Sequence, residues 1–182
     1  MGKFQPRSFN MGFSRKVYEA SGGFSSMRFG EDIDLSIRIL DLGFTTQLIS
    51  HAFVYHKRRT SLKLFFKQVY NSGIARINLQ QRHPDSLRLV HTLPALFLLT
   101  VIVLLILAPL LSWYLTLPIL VHMLALFLGA LWQSRNPVIA ILAILTSYTQ
   151  LSAYGLGFLK AFWQRIILGK DEFSAFNKNF YK

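Results

Sequence analysis

Cysteine is absent from this 182-residue chain, which excludes disulfides and cysteine-ligated zinc. Acidic residues are scarce: eight Asp and Glu stand against twenty Lys and Arg, a formal net charge of +12. Nucleic acid is one polyanion that such a balance suits. The cations, however, flank apolar runs, with 14 basic and 6 acidic residues before Leu93 and 6 and 2 from there on. Anionic lipid headgroups are therefore the nearer partner, and nucleic acid is not expected. Charge itself is missing over long stretches, with no Asp, Glu, Lys or Arg between residues 93 and 134 and none after Arg135 until Lys160. Internal repeats and low-complexity tracts are also missing. Residues 1–7 hold no apolar segment of the kind a signal peptide needs, and Pro6 spoils a Met-Gly myristoylation pattern.

The uncharged stretches are of membrane length. Residues 93–111, 115–132 and 138–159 each read as a span, at about 18 to 22 residues or roughly 27 to 33 Å of helix. A soluble core helix rarely stays uncharged for so long. Arg135 makes the loop after the second span look cytoplasmic, as does the first part of the chain, and the uncharged Ser112-Trp113-Tyr114 turn suits the far side. Three full spans would then carry Lys160, Arg165 and Lys170 across, against the positive-inside tendency. Either Phe162, Trp163, Ile166 and Ile167 dock the tail on the outer surface, or one segment is re-entrant, with Pro94, Pro109 and Pro118 as candidate breaks. The working organisation is a polar domain over residues 1–90, a membrane region over 91–160 and a basic amphipathic tail over 161–182. The domain boundary falls between Pro84 and Thr92.

Within the polar domain, Gly30-Glu31-Asp32-Ile33-Asp34-Leu35 sets adjacent carboxylates behind a glycine. Ile33, Ile37 and Leu40 recur at helical spacing, Asp34 and Arg38 pair one turn apart on the wet face, and Gly43 offers a stop. Asp32 therefore sits in a first helical turn. There the dipole and free N–H groups favour a carboxylate able to take a proton from a bound hydroxyl. An ordinary acidic helix start is the alternative. Upstream, a short helix ends near residues 17–20 and Gly22-Gly23 turns the chain back. Downstream, residues 44–50 and 52–55 have the β-branched and aromatic content of short strands. His56 closes the second strand, as a surface residue or a ligand, and Lys57, Arg58 and Arg59 follow, suited equally to lipid or to a diphosphate. From Ser61, a candidate cap, residues 62–80 read as a helix lying at the bilayer surface. Gln68, Ser72 and Arg76 form its polar stripe, as a solvated face or an acceptor contact.

Taken in order, Ser8-Phe9-Asn10, Gly22-Gly23-Phe24, Glu31-Asp32, Gly43-Phe44 and Tyr55-His56 resemble the C-terminal half of a family 2 glycosyltransferase catalytic domain. The likeness continues through the apolar runs to Phe180-Tyr181-Lys182 and is greatest to membrane-bound bacterial members. It implies an α/β fold, a partial GT-A-like catalytic domain, followed by an α-helical transmembrane bundle. It also implies inverting transfer from a nucleotide-sugar to a glycan or lipid-linked acceptor at the cytoplasmic face of a bacterial inner membrane. By the same resemblance Asp32 would be the base with Glu31 in support, and Asn10, Gly23, Gln68 and Arg76 would meet the acceptor. Lys57, Arg58 and Arg59 would face the leaving diphosphate, and His56 the divalent cation, magnesium or manganese. Two departures stand out. The family's Gln-x-x-Arg-Trp motif is only partly met, because Gln68 and Arg76 lie eight residues apart with no Trp, which speaks against processive polymerisation. The strands that bind nucleotide and the Asp-x-Asp that holds metal are not found, and Asp32-Ile33-Asp34 opens a helix instead of ending a strand. The chain is therefore expected to be a fragment inactive alone, the alternative being a small non-catalytic membrane scaffold.

Overall fold

The computed structural model describes residue 6, residues 10–55 and residues 60–172. Of the described residues 71% are helical, and among them there is no strand or sheet. The expected α/β architecture is therefore not seen: the described residues are helical, with no sheet. Residues 44–55, expected as short strands, form no regular element apart from a turn at residues 50–51, and Leu48, Ile49, Phe53, Val54 and Tyr55 stand exposed with no neighbouring strand among the described residues. A strand needs a ladder partner, and residue pattern alone does not supply one.

Two short helices organise the polar part. Helix α1 (Arg15–Ser21) starts under Ser14, whose hydroxyl accepts from the Val17 N–H at 3.4 Å, and ends on Gly22 in the left-handed region at φ 72°. Helix α2 (Glu31–Asp41) starts on Gly30 at φ 85° and stops before Gly43 at φ 81°. Its bounds match the expected signals, but its buried face does not. Leu35, Ser36 and Ile39 are buried along with Asp34, whereas Ile33, Ile37 and Leu40 are only half-buried. Asp34 does pair with Arg38, at 2.9 Å, but the carboxylate is 3% exposed and not on a wet face.

Helix α3 (Leu62–Arg82) begins after Ser61, which makes no side-chain cap, and changes character along its length. Its first turns expose Leu62, Leu64 and Phe66 beside Lys63 and Lys67. Its second half buries Ile74, Ala75, Ile77 and Leu79. Two 3-10 turns, Pro84–Ser86 and Leu89–His91, lead into the apolar helices α4 (Leu93–Leu107), α5 (Leu117–Ser134) and α6 (Pro137–Ala161), the last prolonged by a π turn over Phe162–Ile167. Pro94, Pro118 and Pro137 all fall in first helical turns, where a missing N–H costs nothing, so they start helices instead of breaking them.

Helix α6 is the spine. At its crossing with α3, Gly73 lies against the Tyr154 carbonyl and Gly157 against the Tyr70 carbonyl, so close that a Cβ at either position would strike backbone. A core of Ile74, Ala75, Ile77, Ala95, Phe158 and Ala161 forms around this contact. Helix α5 folds back on α6 through Arg135, at φ 51°, and Asn136, whose Oδ1 accepts from the Val138 and Ile139 N–H groups. His122 Nδ1 then meets the Tyr148 hydroxyl at 3.1 Å. Helix α4 joins the bundle at the same level. Pro94 and Leu98 lie on Gly155, and the Phe97 ring sits 5.5 Å from that of Tyr148 and 5.2 Å from that of His122. The starts of α4 and α5 are thus neighbours, and residues 108–116 return the chain between them.

Two helical stretches, Trp113–Ser134 and Pro137–Ile167, are long and apolar enough to cross a membrane. Leu93–Leu107 is apolar but shorter; at 1.5 Å per residue it reaches only about 22 Å. No residue of α5 is buried, and Leu120, Val121, Leu124 and Leu128 stand open along it.

Candidate active site

Gly30 sets the position of the acidic pair. Its backbone lies in the left-handed region, and a Cβ there would meet Leu79 Cδ1 at 3.2 Å and the Ala75 Cβ at 3.6 Å. A glycine thus lets the start of α2 press directly onto the buried half of α3. Glu31 and Asp32 follow at once, both half-buried. Asp32 Oδ1 accepts from the Ile33 N–H at 2.9 Å, which orients the carboxylate at the helix start. The Glu31 carboxyl is raised above its ordinary range, chiefly by burial and further by the neighbouring Asp32, with its own backbone N–H pulling the other way.

One turn on, Asp34 is a buried anchor that sequence reasoning placed on the surface. Its Oδ1 meets His83 Nε2 at 2.8 Å, and its Oδ2 accepts from Arg38 Nη2 at 2.9 Å and Nε at 3.1 Å. Arg38 also donates to the Gly23 carbonyl at 2.7 Å and to that of Ser21. A single carboxylate therefore ties together α2, the end of α3 and the Gly22-Gly23 turn. Burial works to raise the Asp34 pKa, but the hydrogen bonds from His83 and Arg38 outweigh it and hold the group below the ordinary carboxylate range. The i, i+4 spacing of Asp34 and Arg38 was the available signal. Nothing in local sequence joined His83 to them.

The other expected site residues scatter. Asn10 is exposed, and its Nδ2 donates to the Ala52 carbonyl at 3.2 Å. Gly23 is buried at φ 69° beneath the Tyr18 ring, whose nearest atom would lie 2.6 Å from an added Cβ. Gln68 is exposed on the first half of α3, and its carbonyl accepts from Ser72. Arg76 is half-buried near the Tyr154 hydroxyl. None of these is brought onto the acidic pair by a hydrogen bond or ion pair among the described residues. The positions of His56, Lys57, Arg58 and Arg59 lie outside the described residues.

Metal fit is poor. Among the described residues no three His, Asp or Glu side chains gather as a ligand set. The nearest approach, Asp34 with His83, offers two groups, and Arg38 already occupies the second carboxylate oxygen.

The family model for glycosyl transferase family group 2 matches residues 9–132, which takes in the acidic pair, α3 and the first two apolar helices. No curated protein and no solved structure matches the chain.

Proposed function

The chain belongs to glycosyl transferase family group 2, and from that premise we propose that Asp32 is the base of a sugar transfer from a nucleotide-sugar donor. The observation that carries the reading is the acidic pair seated on α3 through Gly30, with Asp34 fixing the helix behind it. In the proposed step the acceptor hydroxyl gives its proton to the Asp32 carboxylate as its oxygen bonds to the anomeric carbon. The bond from that carbon to the diphosphate breaks in the same displacement, and its electron pair leaves with the nucleoside diphosphate. Glu31, held above its usual pKa by burial, supports the base or binds the acceptor. Lys57, Arg58 and Arg59 remain the proposed counter-charges for the leaving group. Members of this family generally use a divalent cation. The described side chains do not fit one, so no step is drawn through a metal.

The acceptor is proposed to be a glycan or a lipid-linked molecule presented at the cytoplasmic face of a bacterial inner membrane. Support comes from the apolar helices. Leucines and valines exposed along α4, α5 and α6 would be unsustainable in water at this density. We read α5 and α6 as crossing the bilayer and α4 with residues 108–116 as re-entrant.

The test is Asp32→Asn in the protein expressed from its own gene. Transfer of labelled sugar to membrane acceptors should fall by about two to four orders of magnitude with expression unchanged. Full retention of transfer would remove Asp32 from the base position.

A further inference from the structure

A concavity of about 660 Å³ is lined by neither Glu31 nor Asp32. Ile37 and Leu40 from the outer half of α2 form one wall, Arg76 and Arg82 of α3 a second, and Arg88, Val90 and His91 the third. The last wall runs straight on into α4 at Leu93, where charged residues cease. The cleft therefore opens where the polar part of the chain meets its apolar helices.

Its charges are not all committed. Arg82 is paired with Glu172 at 3.1 Å and His83 with Asp34 at 2.8 Å. Arg76 and Arg88 make no ion pair among the described residues. His91 Nδ1 accepts from the Arg88 backbone N–H at 3.0 Å, which leaves the ring proton on Nε2 as a donor. Burial first, then the charges of Arg76 and Arg88, lowers the His91 pKa and keeps that donor neutral. The acids facing the cleft, Asp41 and Asp85, are both exposed. Val90 is 59% exposed and, with Leu40, gives the cleft apolar lining.

Two arginines without acidic partners among the described residues suit phosphate oxygens, and an apolar wall at the head of the apolar helix α4 suits an alkyl chain. We propose that this cleft binds the phosphate headgroup of a lipid, with Arg76 and Arg88 holding the phosphate and Leu40 and Val90 the first methylenes. The proposal does not rest on the sugar-transfer reading. Its chemistry is shared by a bilayer phosphodiester and a lipid monophosphate, whereas free phosphate lacks the chain.

The test titrates the full chain in dodecyl maltoside with dodecyl phosphate, dihexanoyl phosphatidylglycerol and inorganic phosphate, reading affinity by calorimetry. At least one alkyl ester should bind about tenfold or more tightly than inorganic phosphate, since only the esters reach the apolar wall. Whichever ester binds more tightly identifies the source. Arg88→Gln, at an exposed position, should weaken that ester about tenfold. Val90→Trp should block it, with helical circular dichroism unchanged in both variants. Asp32→Asn should bind like the parent, which separates this site from the proposed base. The proposal is overturned if no ester binds, if inorganic phosphate binds as tightly as the esters, or if Arg88→Gln and Val90→Trp both bind like the parent.

Discussion

A buried carboxylate is costly unless both its oxygens find partners, and Asp34 meets that condition through His83 on one side and Arg38 on the other. Asp34→Asn keeps the shape and removes the charge, leaving Arg38 to serve two backbone carbonyls with no counter-ion at its centre. Loss of one partner from a buried pair costs about 3 kcal/mol. That loss should appear as a lower thermal midpoint in detergent and as faster proteolysis between Gly22 and Gly30. The same group sets an acid limit. Its folded pKa lies below the ordinary value, which is about 3.9 in an unfolded chain. Its contribution is thus complete above that ordinary value and is lost as pH falls through the lower folded one. An acid titration of the unfolding midpoint should show this step in the parent and not in Asp34→Asn. Equal acid profiles in the two proteins would mean that Asp34 does not carry it.

Helices were legible wherever local chemistry stops and starts them. Gly30 and Gly43 bracket α2 in sequence as they do in space, whereas Pro94 and Pro118, read as candidate breaks, stand in the first turns of α4 and α5. What failed was the assignment of faces and partners. The Ile33, Ile37, Leu40 stripe was read as the apolar face of α2, but Leu35 and Ile39 are buried, and Ile37 and Leu40 line the cleft. Periodicity finds an apolar face but not which neighbour covers it. The acidic pair was legible because it is contiguous. The cleft was not, because its walls come from three stretches that only folding brings together. A further signal lay unread in α6, where Ala153, Gly157 and Ala161 repeat every fourth residue and are all buried. Gly157→Leu would drive a side chain into the Tyr70 carbonyl. Overpacking of this kind costs about 1 to 3 kcal/mol in a well-packed core. Since the obstacle is backbone, the upper end is expected, seen as α3 cut by protease at Gly73 while α5 and α6 stay protected. Gly129→Leu is the control, because nothing lies within 4 Å of that position.

Two crossings, as proposed, would give the whole molecule a different topology from three. With three full spans, Lys160, Arg165 and Lys170 would lie across the membrane from the polar domain. The contacts run the other way. Gln81 donates to the Arg165 carbonyl at 3.3 Å, and both Asn78 and Arg82 reach Glu172, at 3.2 Å and 3.1 Å. The chain after α6 thus rests on the end of α3, beside the cleft that Arg82 lines. If α5 and α6 are the crossings, every cation of the tail named here shares the side of the basic domain and Arg135 alone lies opposite, as the positive-inside tendency favours. The absence of cysteine makes this directly measurable. Single cysteines at the exposed positions Ser26, Gln133 and Lys170 report the domain, the α5–α6 turn and the tail in turn. In sealed vesicles an impermeant maleimide should label Ser26→Cys and Lys170→Cys from one face and Gln133→Cys from the other. Three crossings require the reverse grouping, Ser26→Cys with Gln133→Cys, because an odd number of passages separates the domain from the tail.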